Sequence, residues 1–109
     1  MELRGYIDER GKRRFADWLD SLNATAAAKV TIALARMENG NLANVKGVGA
    51  GVFEYRIDFG PGYRIYFGKD GDRLIILVGG GTKKRQPQDI ATALNCWADY
   101  KRRKRKETD

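Results

Sequence analysis

The sequence predicts an α+β domain in which two N-terminal helices pack on a small, mostly antiparallel four-stranded sheet, followed by a C-terminal helix. Three observations support this fold class. Apolar residues recur at helical spacing within residues 15–37, strand-like segments follow one another within residues 54–82, and a second amphipathic segment follows Pro87. With 109 residues, the chain has the length of one domain.

The N-terminal part predicts a strand and a short helix. Residues Leu3–Ile7 alternate between apolar and polar, which is typical of a strand with one buried face. The next apolar residues have the spacing of a single helical face, and they are Phe15, Trp18, Leu19 and Leu22.

A second helix is predicted after Asn23 or Thr25, since either side chain can cap its N-terminus. The helix should end at Asn39-Gly40, a pair suited to the left-handed conformation that follows many helices. Because the joint between the two helices is short, we expect them to be antiparallel. The apolar stripe of the second helix is formed by Val30, Ala33, Leu34 and Met37.

The glycine-rich segment VKGVGAGV, residues 45–52, is expected to be a flexible link. Its three glycines do not form a phosphate-binding loop, because no Gly-Lys-Ser/Thr follows and the next residues are typical of a strand.

The segment EYRIDFGPGYRIYF, residues 54–67, predicts a hairpin closed by the three-residue loop Gly60-Pro61-Gly62. This loop would pair Phe59 with Tyr63. Since side chains alternate along a strand, the apolar ones share a face directed at the core. The opposite face points away from the core and carries Arg56, Asp58, Arg64 and Tyr66.

The C-terminal part predicts a central strand, a helix and a tail. Residues 74–78, LIILV, are apolar on both faces, which is typical of a strand covered on both sides. A helix begins at Pro87 and has Ile90, Leu94 and Trp97 on its inner face. The basic ending KRRKRKETD should be frayed. We therefore expect one domain over residues 1–100 and a basic tail over 101–109.

Composition limits the classes of function. The formal net charge of +7, from 21 basic and 14 acidic residues, favours RNA, DNA or an acidic protein as partner, although solubility alone can explain such a charge. The chain has no histidine, which excludes histidine-based nuclease chemistry. A single cysteine, Cys96, excludes an internal disulfide and a cysteine zinc site. No bilayer-length apolar run or signal-peptide pattern is present, so we expect a cytoplasmic protein without a membrane partner.

The polar face of the predicted hairpin is the candidate site. Its simplest interpretation is a surface ion pair between Asp58 and Arg64, worth about 0–1 kcal/mol. That pair leaves the other cations without a partner, and rigid strands that present cations beside a tyrosine suit an RNA backbone with a stacked base. The candidate catalytic residues are Arg56, Arg64, Lys83, Lys84, Tyr66 and Asp58. Further candidate RNA contacts are Lys46, Arg85, Lys101 and Arg102.

The chemistry of RNA cleavage fits this set, because RNA supplies its own nucleophile, the 2′-hydroxyl. The protein must remove the proton of that hydroxyl and stabilise the charge on the phosphate. The sequence leaves Asp58, Glu54 and a lysine open as the base. No residues have the spacing of metal ligands, so no cofactor is expected.

Three motifs, Glu54-x-Arg56, Gly62-Tyr63-Arg64-x-Tyr66 and Gly80-Gly81-x-Lys83, resemble the RelE/ParE superfamily of toxin–antitoxin toxins. The order strand–helix–helix–three strands resembles this superfamily too, and the HigB-like addiction module killer proteins in particular. The resemblance implies a RelE-like fold. It also implies a metal-independent endoribonuclease that cuts messenger RNA on the ribosome and is blocked by an antitoxin, which we expect to be an adjacently encoded helix-turn-helix protein.

The resemblance also implies roles for individual residues. Arg56 matches a basic position on the first hairpin strand, Arg64 matches the arginine that contacts the scissile phosphate, and Lys83 or Lys84 matches the basic residue after the last strand. Asp58 departs from the pattern, since some active relatives have lysine there.

The C-terminal aromatic residue that some relatives use has no clear counterpart, and Tyr66 or Tyr100 could replace it. Two other functions stay open, namely a ParE-like DNA gyrase inhibitor without nuclease activity and a non-catalytic RNA-binding relative. The cluster of arginine and lysine favours RNA over gyrase.

Overall fold

The computed structural model describes residues 1–108, so that Asp109 of the predicted tail lies outside the described residues. Residues 1–108 form five strands, three α-helices and a short 3-10 turn. In order, these are β1 (Glu2–Gly5), α1 (Arg14–Asp20), α2 (Ala24–Glu38), β2 (Val45–Gly49), β3 (Val52–Ile57), β4 (Tyr63–Asp70), β5 (Leu74–Thr82), the 3-10 turn (Lys83–Arg85) and α3 (Gln86–Thr108).

The strands form one five-stranded mixed sheet in the order β1-β5-β4-β3-β2. β1 runs parallel to β5, and the other neighbouring pairs are antiparallel. The predicted four-stranded sheet is therefore wrong. The additional strand is β2, which we expected to be a flexible link.

The glycines of that segment explain the error. Instead of loosening the chain, Gly49 and Gly51 take positive φ angles of 115° and 85°, with Ala50 between them at 51°. These three residues build a tight turn that folds β2 back on β3, where Val45 pairs with Tyr55. Glycine was thus required by the turn conformation, and the alternation of Val45 with Lys46 was too short to predict a strand.

The α1/α2 face of the sheet carries an apolar core. Asn23 caps α2 as predicted, since its side chain accepts a hydrogen bond of 2.9 Å from the Ala26 N–H. Gly40 follows the helix with a φ of 79°, which confirms the predicted left-handed ending. The buried residues of this core are Phe15, Val30, Ala33, Met37, Tyr55, Ile65, Phe67, Ile75 and Leu77.

The α3 face of the sheet is also covered, because α3 packs across β4 and β5. At Gly68 an added Cβ would lie 2.5 Å from the ring of Trp97, so the glycine provides the space that the indole occupies. The apolar part of this face consists of Tyr6, Val52, Tyr66, Ile76, Val78, Ala93, Cys96 and Trp97. The sheet thus lies between two helical layers.

The β3–β4 hairpin has a different register from the predicted one. Ile57 pairs with Tyr63 and Arg56 with Arg64, so the loop has five residues, 58–62. An error of two residues preserves the face of every side chain, because the side-chain period of a strand is two. Asp58, however, leaves the strand and lies in the loop.

The basic ending is helical and continues α3 to Thr108, where we expected a frayed tail. Polar contacts hold it in place. Asp99 forms ion pairs with Arg102 and Arg103, and Lys104 pairs with Asp70 at the end of β4. The helix shows no break at the predicted boundary after residue 100.

No helix within residues 1–108 has both the length and the apolar content needed to cross a membrane.

Candidate nucleic-acid interface

An open groove with a volume of about 460 Å³ lies beside the β3–β4 loop, and we call it the hairpin groove. Its lining is mostly basic and polar and includes the predicted Asp58. The lining residues are Lys46, Arg56, Asp58, Phe59, Gly60, Pro61, Gly62, Arg64, Lys83 and Gln86.

Strand pairing brings these side chains together. Lys46 of β2 lies opposite Glu54 of β3, and Arg56 of β3 lies opposite Arg64 of β4. Lys83 comes from the other side of the loop, where its backbone N–H donates a hydrogen bond of 2.8 Å to the carbonyl of Gly62. Five predicted site residues, Lys46, Arg56, Asp58, Arg64 and Lys83, therefore share one groove.

The cations at the rim of the groove are available to a ligand. Lys46, Arg56 and Lys83 are exposed, and within residues 1–107 no carboxylate pairs with any of them. Asp58 is exposed as well, and the predicted ion pair between Asp58 and Arg64 is not formed. The rim thus combines three free cations with one free carboxylate.

Arg64 lies deeper than predicted. We expected it to point away from the core, and it does lie on the predicted face of the sheet, but the start of α3 covers that face and leaves the side chain 6% exposed. Its Nε lies 3.7 Å from Oε1 of Glu54, and its Nη1 donates to the carbonyl of Tyr63 at 3.2 Å. Arg64 is therefore held in a fixed position at the floor of the groove.

The carboxylate of Glu54 lies beside the guanidinium of Arg64 and forms an ion pair with it. The side chain of Glu54 is completely buried, and Oε2 accepts a hydrogen bond of 2.6 Å from Nε2 of Gln86 at the start of α3. Glu54 lines no part of the groove, so it cannot serve as a base for a ligand there. Gln86 was not among the predicted site residues, and no local signal could have indicated its role, since it lies 32 residues from its partner.

Tyr66 does not reach the groove either. It is fully buried under α3, and its hydroxyl has no hydrogen-bond partner among the described residues. Burial raises the pKa of Tyr66, and the nearby charges of Glu54 and Asp89 raise it further. The predicted role of Tyr66 as a stacking or acid residue is therefore incompatible with this position.

Asp89, which was not among the predicted site residues, belongs to the same buried region. Its Oδ2 is buried without a hydrogen-bond partner, and burial raises the pKa of its carboxyl group. The carboxylate lies against the backbone of Gly81, where an added Cβ would be only 1.9 Å from Oδ2. Glycine at position 81, within the motif Gly80-Gly81-x-Lys83, thus leaves the space that the Asp89 carboxylate occupies.

The other predicted contacts lie outside the hairpin groove. Lys84 is exposed on the 3-10 turn, and Arg85 lines a neighbouring groove. Lys101 and Arg102 belong to the C-terminal half of α3, where Lys101 lies 5.8 Å from the ring centre of Trp97. Within the described residues, no three acidic or cysteine side chains form a group that could hold a metal ion.

Comparisons with known proteins identify relatives of this chain. The family model described as "Phage derived protein Gp49-like (DUF891)" matches residues 17–97, which include the hairpin groove. A protein of Haemophilus influenzae strain Rd, described as uncharacterized, is 42% identical over 80 residues, which is 72% of this chain and 81% of that protein. The matching model is not that of the RelE/ParE superfamily, so our assignment to that superfamily and its HigB-like branch is wrong.

Proposed function

The chain belongs to the Gp49-like family of phage-derived proteins, a toxin-related group, and we propose that it is the toxin of a toxin–antitoxin pair that cleaves messenger RNA in the hairpin groove. One observation carries this proposal. Three exposed cations surround a fourth, Arg64, which the buried Glu54 holds in place. Such a groove suits a phosphodiester, because mobile cations attract it and a fixed guanidinium orients it.

The proposed reaction uses the nucleophile of the RNA. The 2′-oxygen attacks the adjacent phosphorus, the bond from phosphorus to the 5′-oxygen breaks, and the products are a 2′,3′-cyclic phosphate and a 5′-hydroxyl end. Arg64 stabilises the additional charge on the phosphate, assisted by Arg56. Asp58, the carboxylate that lines the groove, accepts the proton of the 2′-hydroxyl, and Lys83 returns a proton to the leaving 5′-oxygen.

We propose that cleavage depends on the ribosome. The hairpin groove is open, so it provides cations but little wall to align the 2′-oxygen with the leaving group. Alignment of reacting atoms supplies a large part of a barrier reduction, and a translating ribosome holds the message in a fixed conformation. The antitoxin, in turn, would be a protein encoded next to this chain whose acidic residues cover the groove.

The experiment is to induce the protein without its antitoxin and to map new 5′ ends in translated messages. We expect new 5′ ends that form only in messages that ribosomes translate. The double variant Arg56→Ala/Lys83→Ala should lower the formation of these 5′ ends by about 10²-fold or more. The matched control is Arg10→Ala/Arg73→Ala, which removes the same charge at two exposed arginines outside the groove and should leave cleavage unchanged.

Other results would favour the other functions. DNA damage that precedes any change in messages would indicate a gyrase inhibitor and contradict cleavage. Tight binding of RNA in vitro with intact messages and no growth arrest would indicate a non-catalytic RNA-binding protein.

A further inference from the structure

A second groove lies on the other side of the 3-10 turn, between α1 and α3, and we call it the α1–α3 groove. It has a volume of about 380 Å³ and crosses the outer edge of β5 at Gly79 and Gly80. That edge is free, because β1 pairs with β5 only as far as Leu77 and no other described strand lies beside it there. The backbone of β5 is therefore accessible from the groove.

Gly79 lies beside a β-bulge, because Tyr66 of β4 pairs with Gly79 and the next residue, Phe67, pairs with Leu77. Its φ lies outside the left-handed region, and an added Cβ would meet no atom within 4 Å. The next two glycines differ, since a Cβ at Gly80 would collide with Trp18 and one at Gly81 with Asp89. Glycine inside a strand often marks a bulge or the close approach of a ligand to the backbone, and at Gly79 the space that a Cβ would occupy is open.

Asp89 offers an acceptor in this groove. Asp89 lines this groove, and its Oδ2 is buried against Gly81 without a hydrogen-bond partner, while the charge of Arg85 acts on the same carboxyl group. A buried acceptor without a donor is costly, so an N–H group of a ligand would relieve an existing penalty. Asp89 is therefore prepared to accept a hydrogen bond from a bound molecule.

Cations lie around the same groove. Lys12 and Arg14 approach from the α1 side, and Arg85 approaches from the 3-10 turn. The acidic Asp17 also lines the groove, but it is paired with Arg13 at 3.6 Å. The groove thus combines sites for an anion with one acceptor for N–H donors.

We propose that the α1–α3 groove binds one nucleotide of a single-stranded RNA, with its phosphate on Arg85, Lys12 and Arg14 and the edge of its base on Asp89. The inference rests on the proposed function, because this nucleotide belongs to the strand whose scissile phosphate lies in the hairpin groove. The 3-10 turn Lys83–Arg85 separates the two grooves and carries three consecutive cations that follow the RNA backbone between them.

The acceptor defines a base preference. Adenine, cytosine and guanine present an amino group that can donate to Asp89. The N–H of uracil lies between two carbonyl oxygens, which a carboxylate repels. The groove should therefore discriminate against uracil. An extended acidic peptide could also lie along the free edge of β5, but its carboxylates would face Asp89 and Asp17, so a nucleotide is favoured.

The test is a titration of the ¹⁵N-labelled protein with CMP and UMP, followed by the amide signals of Gly79, Gly80 and Arg85. We expect CMP to shift these signals and to bind at least about fivefold more tightly than UMP. Asp89→Asn should remove most of this difference. Equal affinity for CMP and UMP would overturn the base preference.

The groove itself is tested with Gly79→Val, whose Cβ meets no atom within 4 Å, and this variant should weaken the binding of CMP by about tenfold at an unchanged melting temperature. Gly5→Val is the matched control, since its added Cβ also meets nothing and it lies in β1 outside this groove. If Gly79→Val were unfolded, Arg85→Gln should weaken the binding of CMP to a similar extent.

Unchanged CMP affinity in folded Gly79→Val, or amide shifts with an oligoglutamate peptide but none with CMP, would overturn the proposal. Mononucleotide binding requires no cleavage, so a failure of the nuclease function appears separately, as intact messages in cells.

Discussion

The two faces of the sheet differ most clearly at adjacent residues of β4. Ile65 and Tyr66 are both completely buried. Ile65 points to the α1/α2 face and contacts apolar side chains, whereas Tyr66 points to the α3 face, where its hydroxyl lacks a partner. The α3 face also holds buried side-chain atoms without a hydrogen-bond partner in Glu54, Arg64 and Asp89, although Glu54 and Arg64 form an ion pair. The comparison indicates that one face stabilises the fold and that the other holds charges in fixed positions at a cost in stability.

The loss of stability on the α3 face is connected with the position of Arg64 in the hairpin groove. Buried polar groups with incomplete hydrogen bonding reduce stability, and they are often retained where function requires them. On the α3 face, the carboxylate of Glu54 lies beside Arg64 and holds its guanidinium at the floor of the groove. Substitutions on each face of the sheet test this difference.

The largest effect is expected on the apolar face. Ile65→Ala removes buried methyl and methylene groups from the α1/α2 core and should lower the free energy of unfolding by about 2–5 kcal/mol. Urea denaturation measures the loss, and Ile65→Val should cost about 1 kcal/mol as a graded control. A loss below that of the valine variant would mean that this face does not carry the stability of the fold.

A smaller loss is expected for the ion pair on the α3 face. Arg64→Gln leaves the buried carboxylate of Glu54 without its counter-charge and should lower the free energy of unfolding by about 3 kcal/mol. The double variant Glu54→Gln/Arg64→Gln should be at least about 1 kcal/mol more stable than the sum of the two single changes predicts. Additive effects in this cycle would show that Glu54 does not hold Arg64.

The smallest effect is expected for Tyr66→Phe, which removes a buried hydroxyl without a partner. The substitution should be neutral or stabilising by up to about 1 kcal/mol near neutral pH. A clear destabilisation would mean that the hydroxyl is hydrogen-bonded and that the two faces differ less than the structure indicates.

The difference in stability between Tyr66→Phe and the wild type should depend on pH. The pKa of Tyr66 in the folded protein lies above its ordinary value of 10.0, so the unfolded chain loses this proton first. Wild-type stability should therefore be retained below about pH 10 and fall as the pH rises further, and Tyr66→Phe should reduce this fall. Tyr6 and Tyr100, with pKa values raised to about 12, contribute with the same sign in both proteins. Unfolding at about pH 8 and about pH 11 measures the difference.

Local patterns predicted the helices and much of the groove, but they could not predict β2 or the tail. The N-terminal cap of α2 at Asn23 and the end of α2 at Gly40 depend on neighbouring residues, so they could be predicted from the sequence. β2 exists because β3 lies beside it, and the basic end of α3 is held by side chains such as Asp70 from distant strands. Contacts of this kind leave no signal in a short window of sequence.

Strand alternation is enough to assign each side chain to a face, because the period of a strand is two and a register error of two residues leaves the faces unchanged. This alternation places Arg56 and Arg64 on one side of the sheet. What covers that side depends on tertiary packing. The start of α3 buries Arg64, Glu54 and Tyr66 and leaves Arg56 exposed, because burial depends on the packing of a helix that follows later in the chain and that the alternation of the hairpin does not encode.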